Sequence, residues 1–298
     1  MAPYHGGVFD QSVRPPLSLT RRAFIGSASM ATAGLVIYAG THARHELETV
    51  RRTIPIRNLA DSFRGFRIVQ ISDIHLVEWT EPWFVQRVVD AANQLNPDLV
   101  VLTGDFISRG PYPLATAYRA MPVCAEILSG LRCPQRYAIL GNHDVTVDSG
   151  MVIRSLASVG IPTLVNHYAA IERGSDRIWL SGVDDPGTSV PDLMQAIPRT
   201  PDAPVILLAH EPDYADSVIS HPRAGQVDLM LSGHSHGGQV RLPLLGPLIL
   251  PPMGKKYVAG HFQLGNMQLY VNRGIGTVGL PFRLDCPSEI TEITLQQG

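Results

Sequence analysis

The chain has 298 residues, of which 45% are hydrophobic and 17% charged, with a formal net charge of -2. This composition is typical of a globular protein with a packed core, and the near-neutral charge argues against nucleic-acid binding, which usually requires a strongly basic domain. Three cysteines, Cys124, Cys133 and Cys286, do not form a disulfide framework and are interpreted as small buried side chains.

The N-terminal segment has the pattern of a targeting signal. Residues 20–26, TRRAFIG, place two arginines directly before an apolar, small-residue run at 23–40. This pattern resembles a twin-arginine export signal. The run is close to the ~20 residues of a spanning helix, so a membrane anchor is the alternative. We assign residues 1–45 to a signal or anchor. The assignment predicts export by the twin-arginine translocase, which leaves the protein in the periplasm or anchored in the membrane and facing outward. Residues 41–43 offer only a weak cleavage site.

Residues 50–298 are predicted to form one α/β domain, because apolar strands alternate with amphipathic helices. Buried strands are expected within 66–75, 98–105, 136–144, 177–185, 204–212 and 227–236. Helices are expected within 83–95, 112–129 and 151–160. Two later segments, 268–274 and 289–295, are expected to close a second sheet. In α/β folds the carboxyl ends of the strands line the ligand crevice.

Nearly every predicted strand ends in a side chain that can bind a metal ion. These residues are Asp73, His75, Asp105, Asn142, His143, His210, His234 and His236. One such residue alone is more often structural, but five of the 11 histidines lie at these strand ends. Imidazole, carboxylate and amide groups together suit Mn, Fe or Zn. The ligands are too many for one ion, so two neighbouring ions sharing a carboxylate are predicted. Such a pair can hold a phosphoryl group and activate water.

The stretch GHSHGG, residues 233–238, also fits the G-x-S-x-G nucleophile elbow of a serine hydrolase, with Ser235 as the nucleophile. That enzyme class needs an acid and then a histidine after the serine. The last histidine, His261, precedes every acidic residue that follows Ser235, so the required order is absent. Ser235 is better interpreted as a small residue that lets His234 and His236 project from a tight turn.

The order D-x-H, G-D, G-N-H-D, H and G-H-x-H across residues 66–240 resembles the signature of the calcineurin-like metallophosphoesterases. The leader and the segments GHSHGGQVRLP, KKYVAG and NRGIGTVGLPFRLDCPSEIT are similar to the YaeI/YkuE-type branch of exported or membrane-associated phosphodiesterases. The resemblance implies a two-sheet β-sandwich flanked by helices and two divalent metal ions. It also implies phosphodiester hydrolysis by attack of a metal-bound hydroxide, without a covalent enzyme intermediate.

The resemblance also implies a role for each residue at the strand ends. The first metal would be held by Asp73, His75, Asp105 and His236. The second would be held by Asp105, Asn142, His210 and His234, with Asp105 bridging the two. His143 would protonate the leaving oxygen, and Asp144 would orient the His143 ring.

Three further features bear on the substrate, and each has a structural alternative. The apolar, proline-rich segment 243–260 ends near Lys255 and Lys256, so it either contacts anionic lipid or packs as a buried loop. Arg273 at a strand end either pairs with a substrate phosphate or forms a structural salt bridge. Asp184 at another strand end either lines the pocket or caps a turn.

These features leave several phosphate esters open as substrates. Lipid-linked or nucleotide-sugar pyrophosphates are candidates, although cleavage of such bonds in lipopolysaccharide precursors is cytoplasmic. An exported protein would instead meet phospholipid, teichoic-acid-like or nucleotide diesters. The alternative function is a non-catalytic protein that uses its metals to bind a phosphate group or a lipid headgroup.

Overall fold

A computed structural model of the chain describes residues 21–76, 79–110 and 113–298. The expectations for residues 1–20, including Thr20 of the export motif, lie outside the described residues. The helices in chain order are α1 (Arg21–Thr41), α2 (Pro82–Gln94), α3 (Leu114–Ser129), α4 (Asn142–Ser158), α5 (Leu193–Ala196) and α6 (Ala215–Ser220). The strands are β1 (Leu47–Ile56), β2 (Arg67–Ile71), β3 (Leu99–Leu102), β4 (Arg136–Ala138), β5 (His167–Arg173), β6 (Asp176–Gly182), β7 (Val205–Leu208), β8 (Leu229–Ser232), β9 (Arg241–Leu242), β10 (Gly246–Pro247), β11 (Gly260–Leu264), β12 (Met267–Val271) and β13 (Ser288–Gln297).

The first sheet has five strands in the order β1-β13-β2-β3-β4. Strands β2, β3 and β4 are parallel neighbours, whereas β13 is antiparallel to β2 and parallel to β1. Ile71 at the end of β2 lies opposite Leu102 at the end of β3. The loops that follow these two strands therefore leave the sheet side by side, and they carry Asp73 and Asp105.

The second sheet has six strands in the order β11-β12-β8-β7-β6-β5. Its four central strands are parallel, and the edge strands β11 and β5 are antiparallel to their neighbours. Leu208 of β7 pairs with Leu231 of β8. The histidines that follow these strands, His210 and His234, are thus delivered to the same edge of the sheet.

The two sheets pack face to face through buried aliphatic side chains, with Val101 of β3 and Leu231 of β8 in the same cluster. The outer face of the first sheet is covered by α2, α3 and α4, whose apolar faces pack on residues such as Val100. Helices α5 and α6 pack on the outer face of the second sheet. This arrangement confirms the predicted fold class, a two-sheet sandwich flanked by helices.

Two details of the sequence-based prediction need correction. The segments 268–274 and 289–295 do not close the same sheet: β12 joins the second sheet, whereas β13 lies between β1 and β2 in the first. Apolar periodicity indicates a buried strand but not its partner, and here the choice depends on contacts between distant parts of the chain. The helix expected at 151–160 is the end of α4, which begins at Asn142.

Helix α1 precedes the sandwich and exposes most of its apolar side chains, including Phe24, Ile37 and Leu35. By length and composition it could cross a membrane. Its last turn is held to the domain, because the Arg283 amide donates a hydrogen bond of 3.1 Å to the carbonyl of Ala39. Helix α1 therefore leaves the domain beside residues 281–283.

Candidate metal centre

The predicted metal ligands lie in sharp loops at one edge of the sandwich. Five of them have left-handed backbone conformations, with φ of 54° at Asp73, 46° at His75, 57° at Asp105, 67° at His234 and 51° at His236. This region is uncommon for residues other than glycine, and its occurrence concentrates at functional sites. The loops thus turn sharply after each strand and bring the ligand side chains together.

The first cluster is formed by Asp73, His75 and His236, whose ligand atoms lie close enough to hold one metal ion. The Nε2 atoms of His75 and His236 are 3.0 Å apart. The distance from His236 Nε2 to Asp73 Oδ1 is 3.4 Å. All three side chains are buried. Two imidazole nitrogens and a carboxylate oxygen therefore converge on one point.

The second cluster is formed by Asp105, His210 and His234. His210 Nε2 lies 3.1 Å from Asp105 Oδ2, and Asn142 Oδ1 lies 3.0 Å from His234 Nδ1. Asp105 also reaches the first cluster, with Oδ2 3.5 Å from His75 Nε2. This carboxylate is therefore the group that both clusters share.

The protonation of these side chains fits metal binding. Burial lowers the pKa of His75 to about 3 and that of His234 to about 4, so both rings are neutral and offer lone pairs. Burial raises the pKa of Asp73 to about 6. Burial also opposes charge on Asp105 and His210. Their mutual attraction nevertheless holds the pKa of Asp105 well below its ordinary value and that of His210 well above. A divalent cation can take the place of the proton on such a histidine.

Backbone carbonyl groups fix three of the imidazole rings. His234 Nε2 donates to the Pro252 carbonyl at 2.8 Å, which leaves its Nδ1 beside Asn142 Oδ1. His210 Nδ1 donates to the Thr103 carbonyl at 2.7 Å, and His236 Nδ1 donates to the Gly276 carbonyl at 3.2 Å. Each of these two bonds leaves Nε2 as the nitrogen directed at a cluster, which is the usual arrangement of metal-binding histidines. His210 Nε2 has no hydrogen-bond partner with good geometry among the described residues, as expected of a nitrogen that binds a metal ion.

His143 lies beside both clusters without belonging to the predicted ligand sets. Its ring centroid is 4.8 Å from that of His75, and its amide donates to Asp105 Oδ1 at 2.9 Å. Its Nδ1 lies 2.9 Å from Ser108 Oγ. The structure does not support direct orientation of this ring by Asp144, because among the described residues the Asp144 carboxylate accepts its bonds from backbone amides at 105–107 and 141. Asp144 instead shapes the loop that carries Asp105.

Neither residue considered for substrate contact lies at the clusters. Arg273 forms ion pairs with Glu289 and Glu48, so its guanidinium makes the structural salt bridge. Asp184 accepts bonds from the Asp185 amide and from Ser189 Oγ, so it caps a turn. Within the parts of the chain that the structure describes, neither side chain lines the cavity beside the clusters.

A cavity of about 610 Å³ opens over the two clusters. One wall consists of His75, Asp105, Asn142, His143, His234 and His236, and the other is mainly aliphatic. Ser235 lies between the two histidines, where its hydroxyl donates to the Val258 carbonyl. The cavity therefore combines a metal-binding wall with an apolar one.

Two residues that support the site were missed from the sequence. Ser108, which contacts His143, belongs to no motif. Arg283 is fully buried and donates to four carbonyl groups, those of Cys286, Arg273, Gly274 and Gly276. Because the Gly276 carbonyl also holds His236, Arg283 supports a ligand indirectly. The sequence pattern that could have indicated burial of Arg283 is its position between two apolar residues, Phe282 and Leu284.

Comparison with known proteins identifies the family of this chain. Residues 66–238 match the family model of the calcineurin-like phosphoesterases. The chain is 36% identical to the Bacillus subtilis protein named uncharacterized metallophosphoesterase YkuE, over 93% of this chain and 98% of that one. It is 30% identical to phosphodiesterase YaeI of Escherichia coli, over 93% and 99%. It is 34% identical to a Danio rerio transmembrane protein with a metallophosphoesterase domain, over 91% of this chain and 62% of that protein.

Proposed function

The chain belongs to the calcineurin-like phosphoesterases and is a hydrolase of phosphate esters, and from this premise we propose that it hydrolyses phosphodiesters with two divalent metal ions. The observation that carries the proposal is the shared carboxylate of Asp105, which lies within 3.5 Å of His75 Nε2 and 3.1 Å of His210 Nε2. A carboxylate between two histidine clusters can be shared by a pair of ions, and such a pair suits hydrolysis of a phosphate ester.

We propose the following ligand sets. The first ion would be held by Asp73, His75, Asp105 and His236, and the second by Asp105, Asn142, His210 and His234. Mn, Fe and Zn all suit these groups, and when bound they neutralise phosphoryl charge and lower the pKa of water.

We propose that His143 gives a proton to the leaving oxygen. Ser108 engages Nδ1 of the ring, which leaves Nε2 for the proton transfer. General acid catalysis of this kind contributes about 10²–10⁴-fold to the rate. The Asp105 carboxylate accepts a bond from the His143 amide, so the carboxylate that both clusters share also positions His143, the proposed general acid.

The aliphatic wall beside the metal clusters supports a diester over a monoester. A diester carries one negative charge and has a second substituent, which the aliphatic wall can accommodate.

We propose that α1 remains attached as a membrane anchor. At the weak cleavage site, 41–43, Thr41 and His42 are exposed, but Ala43 is buried and the Arg44 that follows it donates to the Trp79 carbonyl and pairs with Glu81. Proteases act on exposed, mobile segments.

Replacing Arg21 and Arg22 with lysine and following the protein by cell fractionation tests export. If the lysine variant still reaches the outer face, the twin-arginine assignment is wrong.

The experiment that tests the function is hydrolysis of bis-p-nitrophenyl phosphate by the full chain, before chelation, after chelation, and after return of Mn, Zn or Fe. We expect activity that disappears with chelation and returns with metal. Asn142→Ala should lose both metal and activity, whereas His143→Ala should lose activity but keep its metal. A folded, metal-loaded protein without turnover would instead support the non-catalytic binding function.

A further inference from the structure

The aliphatic wall of the cavity continues into an exposed apolar rim. The wall includes Val240 and Phe282. We define the apolar rim as Leu244, Leu245, Leu248, Ile249 and Leu280, all of which are exposed. Leu244 and Leu245 occupy the turn between β9 and β10. Leu248, Ile249 and Leu280 also line the cavity. A contiguous exposed apolar surface of this kind marks an interaction site.

The rim lies where the apolar helix α1 meets the domain. Gly40 of α1 packs so closely on Phe282 that a Cβ atom there would lie 2.9 Å from the ring. Phe282 is both a cavity wall residue and a near neighbour of Leu280 in the rim. A bilayer that holds α1 therefore comes close to the rim, and the rim's leucine and isoleucine side chains match its hydrocarbon.

Among the described residues that line the cavity away from the clusters, the polar side chains already have hydrogen-bond partners. The amide of Gln239, on the aliphatic side, donates to the Val278 and Leu280 carbonyls while its oxygen accepts from the Val278 amide. It therefore braces the loop at 278–280 and is not free to recognise a base or a sugar. A nucleotide substituent would need such hydrogen-bonding groups, whereas an acyl chain needs only apolar contact.

We propose that the substrate is a lipid phosphodiester taken from the membrane that holds α1. Its phosphate lies at the metal clusters, and an acyl chain lies along Val240, Ile249, Leu280 and Phe282. This inference rests on the proposed phosphodiesterase function and names its substrate class. Each methylene buried on the aliphatic wall improves binding by about fourfold. Burying only four methylenes therefore predicts a preference of about 100-fold or more for a long-chain substrate.

The test compares two substrates that differ only in chain length, methyl p-nitrophenyl phosphate and dodecyl p-nitrophenyl phosphate. In each, water attacks phosphorus and p-nitrophenolate leaves. The full chain is placed in phosphatidylcholine nanodiscs, and kcat/KM is determined for both substrates relative to their free concentrations in water, the reference state to which the gain per methylene applies. We expect the dodecyl-to-methyl ratio to be at least about 100 for the wild type. Ile249→Ser and Leu280→Ser should each lower that ratio about tenfold.

A matched control separates cavity contact from simple partitioning into the nanodisc. Val190 is 75% exposed, comparable with Ile249 at 77%, and it is not among the described cavity residues. Val190→Ser should keep the wild-type ratio, because partitioning is the same for every variant.

The two levels of the proposal fail in different ways. If neither substrate is hydrolysed with Mn, Zn or Fe, the phosphodiesterase function falls, and the lipid inference falls with it. If the methyl substrate is hydrolysed and the ratio is near one, the lipid inference is overturned while the function stands. An unchanged ratio in both Ile249→Ser and Leu280→Ser also overturns it.

Discussion

Ser108 Oγ lies 2.9 Å from Nδ1 of His143, so a serine outside the recognised motif holds the imidazole beside the metal clusters. We expect Ser108→Ala to lower kcat about tenfold, because the ring loses the contact that orients it, while metal content and KM stay close to wild type. Steady-state kinetics with metal analysis measure both quantities. Ser155→Ala is the control, because Ser155 lies in α4 about three turns beyond His143. Wild-type kcat in Ser108→Ala would show that the contact does not position the ring.

A substitution at Gly141 can perturb the clusters without replacing any of the proposed metal ligands. A Cβ atom at Gly141 would lie 2.3 Å from Asp105 Oδ1, and its φ of -110° is open to alanine, so only the collision matters. We expect Gly141→Ala to displace Asp105 and to weaken metal binding at least tenfold. Metal titration followed by calorimetry measures the change. Gly225→Ala, where a Cβ meets nothing within 4 Å, should bind metal as wild type does. Equal affinity in both variants would mean that Asp105 does not bind the metal.

Arg283 is a buried cation whose partners are carbonyl groups. Replacing it with methionine leaves the Cys286 and Arg273 carbonyls without this donor, whereas the Gly274 and Gly276 carbonyls keep bonds from the Glu289 amide and from His236. Because each buried unpaired group costs about 1–3 kcal/mol, we expect Arg283→Met to lower the free energy of unfolding by at least about 2 kcal/mol, measured by urea denaturation. Arg51→Met is the control, because Arg51 is 68% exposed and pairs only with Glu292 in the described contacts. Its effect should stay within about 1 kcal/mol. Similar losses in both variants would contradict the role of Arg283.

Ser235 distinguishes the two interpretations of GHSHGG directly. If metal-activated water is the nucleophile, Ser235→Ala should keep its metal-dependent activity within about tenfold of wild type. Loss of a true serine nucleophile typically lowers kcat by about 10⁶-fold. The measurement is hydrolysis of bis-p-nitrophenyl phosphate by the variant with metal present. A loss of several orders of magnitude with metal content intact would restore the serine hydrolase as the better explanation.

The parts of the fold that local sequence patterns control were predictable. The apolar runs that end in Asp73, Asp105 and His210 predicted buried parallel strands. Parallel strands place their carboxyl ends at one edge of the sheet. The ligand clusters follow from that rule together with the spacing of the histidines. This reasoning succeeds because each strand and its ligand are neighbours in the chain.

The parts that depend on distant contacts were not predictable. Arg273 follows a strand, as a substrate-binding residue would, but its partner Glu48 lies 225 residues earlier on β1. Ser108 and His143 are 35 residues apart, and His143 lies in the first turn of α4 whereas Ser108 lies in the loop after β3. No local pattern reports which charged groups will meet across a sheet, so the roles of Arg273, Asp144 and Ser108 required the three-dimensional arrangement.

The position of β13 has a consequence for how the protein is made. This strand comes last among those described, yet it fills the gap between β1 and β2, and β2 leads directly to Asp73. A ribosome must therefore deliver residues 288–297 before the first sheet can close. Until then β1 and β2 have no common neighbour. The loop at 274–276 bonds to Ser72, Asp73 and His236, and it is not yet followed by a strand that is paired in the sheet. We therefore expect the proposed metal clusters to assemble only after residues 288–297 have been delivered, and a chain truncated before Ser288 to carry every proposed ligand without the arrangement that brings them together.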